Sequence, residues 1–569
     1  MPSDTPATPA PDGRPSSGRP SVSSRADSPV GTSVSGAVDR GLLSPLTVGH
    51  DGLVSDDAVV DALVTAELAL VRAWAAVGAL PSVEAEAIAE AWGWDAELRR
   101  ARPHGIDAGD LAAAGVAGGN PVIPLVSSLK QRVDAEKRPW VHRGATSQDI
   151  VDTALMLVAR RAVDTILVEL EAAETALAEF AAEHRDVVAA GRTLTAHAVP
   201  TTVGLRAVGW LGGLRRASAR LRQLTLPAQL GGAAGTRASF VELGGAAASA
   251  LPTRFAESAG LASVEEVWHT SRWPITELGD ALAQTTDALG KLAGDVTTLS
   301  RTEIAELGSG AGGASSTMPQ KSNPVQAVLI RSAALRAPQL AATLHVCAAL
   351  AVDERPDGAW HAEWPTLREL LRLALGASAH GAQLARALRV DREAVARTLG
   401  LTRGLILAER VSLVLTPLIG TDRVRALVAR VAAGEDLAAL LTALPEAAPL
   451  DIPALLDPTH YLGDALTRVD RATTPAPAGA TDDGHGPASG DGRDPAAGAG
   501  PDPATDVVHD PATDGGRDSA TDDRHGPAAG DGLGPVTGGG HGPAAGGGHG
   551  PAAGSGHGPA AGSGVGEAS

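Results

Sequence analysis

Between residues 41 and 470, apolar side chains recur at intervals of three and four, which lays a stripe along one face of a helix. The longest stripe runs through Val151, Leu155, Val158, Ala162, Ile166, Leu170, Leu177 and Phe180. It predicts about thirty-five helical residues, a rod of about 50 Å. Thr146, followed three residues later by Asp149, is a capping-box pattern at its start. A second stripe, between Ile275 and Leu307, uses Leu278, Leu282, Leu289, Leu292, Val296 and Leu299. A third begins at Pro324, a residue welcome in a first helical turn, and continues through Val328, Leu329, Leu335, Leu340 and Leu344. A fourth carries Leu205, Val208, Leu211, Leu214 and Leu221. Residues 53–102 read as shorter helices, with Leu63, Leu68, Leu70, Val71 and Trp74 as core candidates. Strand-like alternation is scarce, so the predicted class is all-α.

The pattern stops at both ends. Residues 1–40 are rich in Pro, Ser, Gly and Asp without apolar periodicity, and they lack the basic start and apolar run of a secretory signal. Residues 471–569 are Gly-His-Gly-Pro-Ala-Ala-Gly and Pro-Ala-Thr-Asp repeats with almost nothing large enough to bury. Neither segment can offset its ordering entropy, so two disordered tails are expected around a folded span. No apolar run reaches membrane-spanning length, so a soluble protein is expected. The formal charge of −19, about half of it in the C-terminal tail, argues against nonspecific nucleic-acid binding. The one cysteine, Cys347, excludes an internal disulfide and points to a reducing cytoplasm. It reads as packing, since no His/Asn arrangement frames it. No spacing fits a metal, the tail histidines read as solubilising low complexity, and no cofactor is expected.

Candidate chemistry sits at the breaks between stripes. Between the second and third stripes lies Gly308-Ser-Gly-Ala-Gly-Gly-Ala-Ser315-Ser316-Thr-Met318-Pro319-Gln-Lys321-Ser-Asn323-Pro324. Its first half looks like a linker, but a linker has no use for Met-Pro followed by Lys321 and Asn323. A mobile glycine loop carrying hydroxyls, an ammonium and an amide between two long helices can close over an anion. At the head of the longest stripe, Thr146 and Ser147 stand beside Arg143, and free helix N-terminal amides with these groups form a carboxylate site as well as a cap. Gly118-Gly-Asn120-Pro-Val-Ile-Pro124 is a kinked turn, which on sequence alone reads first as a helix connection. Pro227-Ala-Gln229-Leu-Gly231-Gly-Ala-Ala-Gly235-Thr236 is a second glycine loop, without the Gly-Lys-Thr ending of a phosphate-binding loop.

The run Ser315–Pro324 resembles the signature loop of the fumarase/aspartase superfamily, usually Gly-Ser-Ser-x-Met-Pro-x-Lys-x-Asn-Pro, with Ala314 where glycine is usual. The resemblance implies Ser315 as catalytic base, and Lys321 and Asn323 on a substrate carboxylate. Val141–Asp149 resembles the superfamily's His-x-Gly-x-Thr-Ser-x-Asp motif, which implies substrate binding by Thr146 and Ser147, with His142 and Arg143 beside them. Gly191–Gly204 resembles Arg-Thr-His-x-Gln-x-Ala-x-Pro-x-Thr and brings in Thr193, but Leu194 replaces the histidine that acts as general acid, and Ala196 replaces the glutamine. His197, three residues beyond, is the remaining catalytic candidate, although a lone histidine there is more often structural. The loop with Gln229 resembles a substrate-lining loop, and that with Asn120 a substrate-facing one. Trp360-His-Ala-Glu363-Trp364-Pro365 is similar to a Trp-x-Ala-Glu-Trp-Pro run of the bacterial 3-carboxy-cis,cis-muconate cycloisomerases.

The resemblance covers about residues 41–470. It implies a three-domain all-α fold with a central long-helix bundle: an N-terminal domain over 41–143, the bundle over 144–376 and a C-terminal domain over 377–470. It also implies a homotetramer with shared sites and a small di- or tricarboxylate substrate. In such chemistry a base takes the proton α to a carboxylate, and the dianion formed needs preorganised donors. Water or an amine leaves badly unless protonated, whereas a lactone's carboxylate leaves as a stable anion. Leu194 therefore fits lactone opening and closing, the cycloisomerase activity. The alternatives are an adenylosuccinate-lyase-like activity and a catalytically silent helical scaffold.

Overall fold

A computed structural model describes residues 39–97, 100–101, 104–310, 313–314 and 321–474, all within one compact unit. Ser315 and most of the two segments read as tails, residues 1–38 of 1–40 and 475–569 of 471–569, lie outside the described residues, while the last helix, Ala465–Thr473, runs a few residues past the expected boundary at 470. In chain order the helices are α1 (Asp56–Ala76), α2 (Ser82–Ala91), α3 (Ala108–Gly115), α4 (Val122–Gln131), α5 (Ser147–Glu183), α6 (Val203–Arg222), α7 (Ala238–Gly244), α8 (Leu251–Ala259), α9 (Trp273–Leu299), α10 (Val325–Ala349), α11 (Gly358–Ala387) and α12 (Arg392–Leu399). After these come α13 (Ala408–Ile419), α14 (Thr421–Ala432), α15 (Leu437–Thr442), α16 (Ile452–Leu455) and α17 (Ala465–Thr473). The strands are short and all pair antiparallel: β1 (Trp94–Asp95) with β2 (Arg100–Ala101), β3 (Val188–Thr193) with β4 (Ala196–Thr202), β5 (Leu307–Gly308) with β8 (Arg389–Val390), and β6 (Gly313–Ala314) with β7 (Ser322–Asn323). The all-α expectation holds, with small ladders added.

The bundle follows from the stripes. All eight apolar residues read along α5 are buried, and α5 packs against α1, α6 and α11. Helix α9 packs against α6, α10 and α11 with Leu278, Leu282, Leu289, Leu292 and Val296 fully inside. Fully burying a leucine contributes about 1.5–3 kcal/mol, so the repeated stripe is what holds these rods side by side. Where α6 turns back on α5, Gly204 sits so close that a Cβ would lie 2.6 Å from the Ala181 carbonyl oxygen. A separate small core joins Val411, Leu415, Val424 and Leu441 in the C-terminal helices.

Three expectations differ in detail. Helix α9 stops at Leu299 rather than near Leu307; a turn follows, and Ala305 takes a positive φ of 54° that no helix continues through. The β3–β4 hairpin went unread because its turn, Leu194-Thr195, carries no glycine or asparagine, yet both residues have positive φ, 48° and 73°. Two stripe residues of α10, Val328 and Leu335, are 53% and 73% exposed, while Leu344 is buried. With Val346 and Leu350 they make an apolar face that no described element of the chain covers.

Candidate active site

The direction of each rod sorts the candidate residues into two ends. Helix α5 has 37 residues, a length of about 55 Å. Thr146 caps its beginning, and the hairpin with Thr193 and His197 follows its end. Helix α9 returns toward the hairpin end, where its exit leads through Glu306 and β5 to the signature segment, and α10 runs back from there.

At the Thr146 end the backbone N–H of Thr146 donates to Asp149 at 3.0 Å. Asp149 is wholly buried and also receives the N–H groups of Gly231 at 2.7 Å and Gly232 at 3.0 Å and contacts His269 Nε2 at 2.9 Å. One carboxylate thus ties the α5 cap to the second glycine loop. The hydroxyl of Thr146 accepts from the guanidinium of Arg355, and Thr146 and Ser147 are half-buried. His142, at φ 58°, contacts buried Glu67 through Nδ1 at 2.6 Å. Burial works to lower the His142 pKa, but the charge and hydrogen bond of Glu67 outweigh it, and the net shift is upward. Arg143 lies over Trp140 at 4.5 Å and Trp74 at 5.9 Å. Gly144, at φ 81°, allows the turn between them; a Cβ there would lie 2.8 Å from the Phe240 ring.

Other candidates at this end have structural partners. Gln229 is buried, its side-chain oxygen accepting the Trp268 N–H at 3.1 Å while its backbone N–H donates to Thr153 at 3.0 Å. Asn120 accepts the Val122 N–H at 3.0 Å and donates to the Gly118 carbonyl at 3.1 Å, and the adjoining Gly119 carbonyl meets His361 Nε2 at 2.9 Å. The Trp360–Pro365 run contributes Glu363 to a buried ion triad. Arg272 donates to Asp152 at 2.7 and 3.0 Å and to Glu363 at 2.7 Å, and Trp360 Nε1 donates to Asp152 at 2.9 Å. Burial opposes the Arg272 charge, but Asp152 and Glu363 hold it above its ordinary pKa, and burial pushes Glu363 up.

At the other end β3 and β4 place Arg192 directly across from His197. His197 is half-buried; burial and then Arg192 depress its pKa against the pull of Glu306, and its Nδ1 has no hydrogen-bond partner among the described residues. Thr193 is exposed, and Leu194 at the tip is 98% exposed. Lys321 is exposed, and Asn323 is half-buried in β7, paired with Gly313 of β6, so that the ladder closes the base of the segment containing Ser315.

The described residues of one chain therefore gather His142, Arg143, Thr146, Ser147 and Gln229 at one end, and Thr193, His197, Lys321 and Asn323 at the other. Sequence reading missed Arg355, the Asp149–His269 pair, the Arg272 triad and Glu306. Of these, Asp149 left a trace there as the capping residue and Glu363 as part of the Trp360–Pro365 run.

A lyase family matches residues 52–338. A nitrosuccinate lyase of Streptomyces davaonensis is 47% identical over 458 residues, spanning 76% of this chain and 94% of that protein. A 3-carboxy-cis,cis-muconate cycloisomerase of Pseudomonas aeruginosa is 41% identical over 438 residues, spanning 74% of this chain and 92% of that one. Among solved structures, a 3-carboxy-cis,cis-muconate lactonizing enzyme from Pseudomonas putida superposes with a TM-score of 0.66 at 36% identity, covering 74% of this chain and 94% of that one.

Proposed function

This chain belongs to the lyase family of the fumarase/aspartase superfamily, and within it we propose an enzyme that eliminates, or adds back, a stable anion β to a carboxylate. We read it first as a 3-carboxy-cis,cis-muconate cycloisomerase. In the opening direction, Ser315 takes the proton α to a carboxylate of the lactone, the electron pair moves into the new double bond, and the ring oxygen departs as a carboxylate. Closing reverses each step. Lys321 and Asn323 hold the carboxylate where charge develops, and the Thr146–Ser147 helix start holds a second one.

The observation that carries this reading is the hairpin tip. Leu194, where the superfamily places its acid, offers no proton, and His197 nearby is held toward its neutral form. A leaving group that is already a stable anion needs no acid. The second reading is elimination of nitrite from nitrosuccinate to an unsaturated dicarboxylate, favoured by the 47% identity to a nitrosuccinate lyase. Nitrite, like a carboxylate, leaves without protonation, so the same residues serve.

The site is assembled from several copies of the chain. A rod of about 55 Å keeps Thr146 from Lys321 within one copy, and the uncovered face of α10, with Val328, Leu335, Val346 and Leu350, is where other copies dock. A homotetramer with shared sites satisfies both.

The test is to offer the purified chain 3-carboxymuconate, nitrosuccinate and adenylosuccinate in parallel. Loss of the muconate's ultraviolet absorbance is expected. Nitrite release instead would replace the first reading by the second. Turnover of adenylosuccinate, or of none of the three, would overturn the stable-anion reading.

A further inference from the structure

We propose that Glu306 is a positioning residue that holds the β3–β4 hairpin and the entry to the signature segment as one rigid body. Its side chain is completely buried. The carboxylate receives Arg192 at 2.5 and 3.1 Å, Arg206 at 3.4 Å and the Thr398 hydroxyl at 2.5 Å. Its backbone carbonyl takes the Asp391 N–H at 3.1 Å. One residue therefore joins the hairpin, the first turn of α6, the last turn of α12 and the chain just beyond β8. The next residue, Leu307, opens β5, the strand from which the signature segment departs.

Two features separate this clamp from ordinary packing. The hairpin partner it grips, Arg192, is the residue paired across the ladder with His197, so a tilt of the hairpin is passed to both Glu306 and the His197 position. The carboxylate is also outnumbered: Arg206 reaches the Ala190 carbonyl at 3.0 Å as well, so both guanidinium groups hold the β3 strand and Glu306 together. Buried charges of this kind tolerate one arrangement, because separating them strands each without water. The coupling itself is independent of the proposed reaction; its effect on turnover rests on that reading.

Amide hydrogen exchange on the full chain tests the coupling without a substrate. In Glu306→Gln, exchange across residues 188–202 and 307–310 is expected to speed up together, by about tenfold or more. Leu415→Ala, in the separate C-terminal core, serves as a destabilised control and leaves these two segments unchanged relative to each other. Acceleration of one segment alone, or of neither beyond the control, overturns the proposal. Should Glu306→Gln not fold, Arg192→Lys, which keeps the charge and loses the forked contact, carries the same test. With whichever substrate the wild type turns over, kcat is expected to fall about tenfold with KM within about twofold, as for a slight misplacement of reacting groups. The Glu306→Gln/Arg192→Lys double variant should fall no further than the worse single one, and independent, multiplying losses overturn the positioning role. A wild type inert toward every substrate offered would sink the proposed function and leave the exchange result standing.

Discussion

At the Thr146 end the buried carboxylates Glu67, Asp149, Asp152 and Glu363 are matched by Arg272, His142, His269 and backbone amides. At the hairpin end one buried carboxylate, Glu306, faces two guanidinium groups beneath an exposed tip in left-handed backbone. The first end is closed on itself: its charges are spent on pinning α5, α9 and α11, and the half-buried Thr146 and Ser147 are presented from a fixed frame. The second end is held from below and left open above. Leu194 and Thr195 sit in backbone that costs a non-glycine residue about 1–3 kcal/mol each, and the chain recovers nothing from Leu194 through contacts of its own. A pinned end and an open end on the same rod fit the shared site proposed above.

The most severe way to break that comparison acts on activity. Ser315→Ala should lower turnover by about 10²–10⁴-fold, the range for removing a base, and Thr146→Ala should impair carboxylate binding from the opposite end. Mixed and allowed to exchange subunits, the two variants should regain part of the wild-type rate, because some mixed sites contain neither substitution. Two verified inactive parents that exchange without complementing, or an active monomer by sedimentation, would end the shared-site reading. Next in size is Arg272→Met, which leaves Asp152 and Glu363 buried and uncompensated. Denaturant unfolding should register a loss of about 3–5 kcal/mol. A loss under about 1 kcal/mol, the scale of an exposed ion pair, would mean that the Thr146 end is not pinned by its triad. Leu335→Glu places a charge on the uncovered α10 face and should dissociate the assembly while leaving each copy folded; sedimentation and circular dichroism read the two effects apart.

What was legible in the sequence follows the same division. Helices α5 and α9 could be read because a period near 3.6 repeats over many turns, and every repeat votes for the same face. The period of α10 was equally plain, but a period alone does not say which stripe residues the rest of the chain covers, and Val328 and Leu335 are exposed while Leu344 is buried. The Arg272 triad left no local signal: its members lie 120 and 91 residues apart, and only the fold brings them together. The Trp360–Pro365 run was useful for assigning a branch, yet its glutamate is an internal counter-ion. The hairpin escaped because turns with two positive φ values are recognised by Asn and Gly, and Leu194-Thr195 has neither. Of the site, the residue types, their motifs and their placement at the ends of long rods were readable, but which candidates share an end, and which buried partners hold them there, became visible only with the fold.

The smallest expected effect is a pair of pH slopes of opposite sign, one from each end. At the first end, Glu67 in contact and Asp149 nearby raise the His142 pKa despite burial and the opposing charge of Lys130. A histidine whose folded pKa exceeds its unfolded value, about 6.5, contributes stability that is complete below that value. The contribution is lost as pH rises through the folded pKa, because the folded state then gives up the extra proton it held. At the second end, burial and Arg192 lower the His197 pKa against Glu306. There the unfolded state binds the proton more readily, so the contribution is complete above about pH 6.5 and is lost as pH falls through the folded pKa. His197 is only partly buried, so solvent screening keeps its slope the shallower of the two. Unfolding free energies of the wild type, His142→Gln and His197→Gln between about pH 5.5 and 8 isolate each slope as a difference. The wild-type advantage over His142→Gln should shrink as pH rises, and that over His197→Gln should shrink as pH falls. Slopes of the same sign would show that the two histidines do not report the opposed charge environments of the two ends.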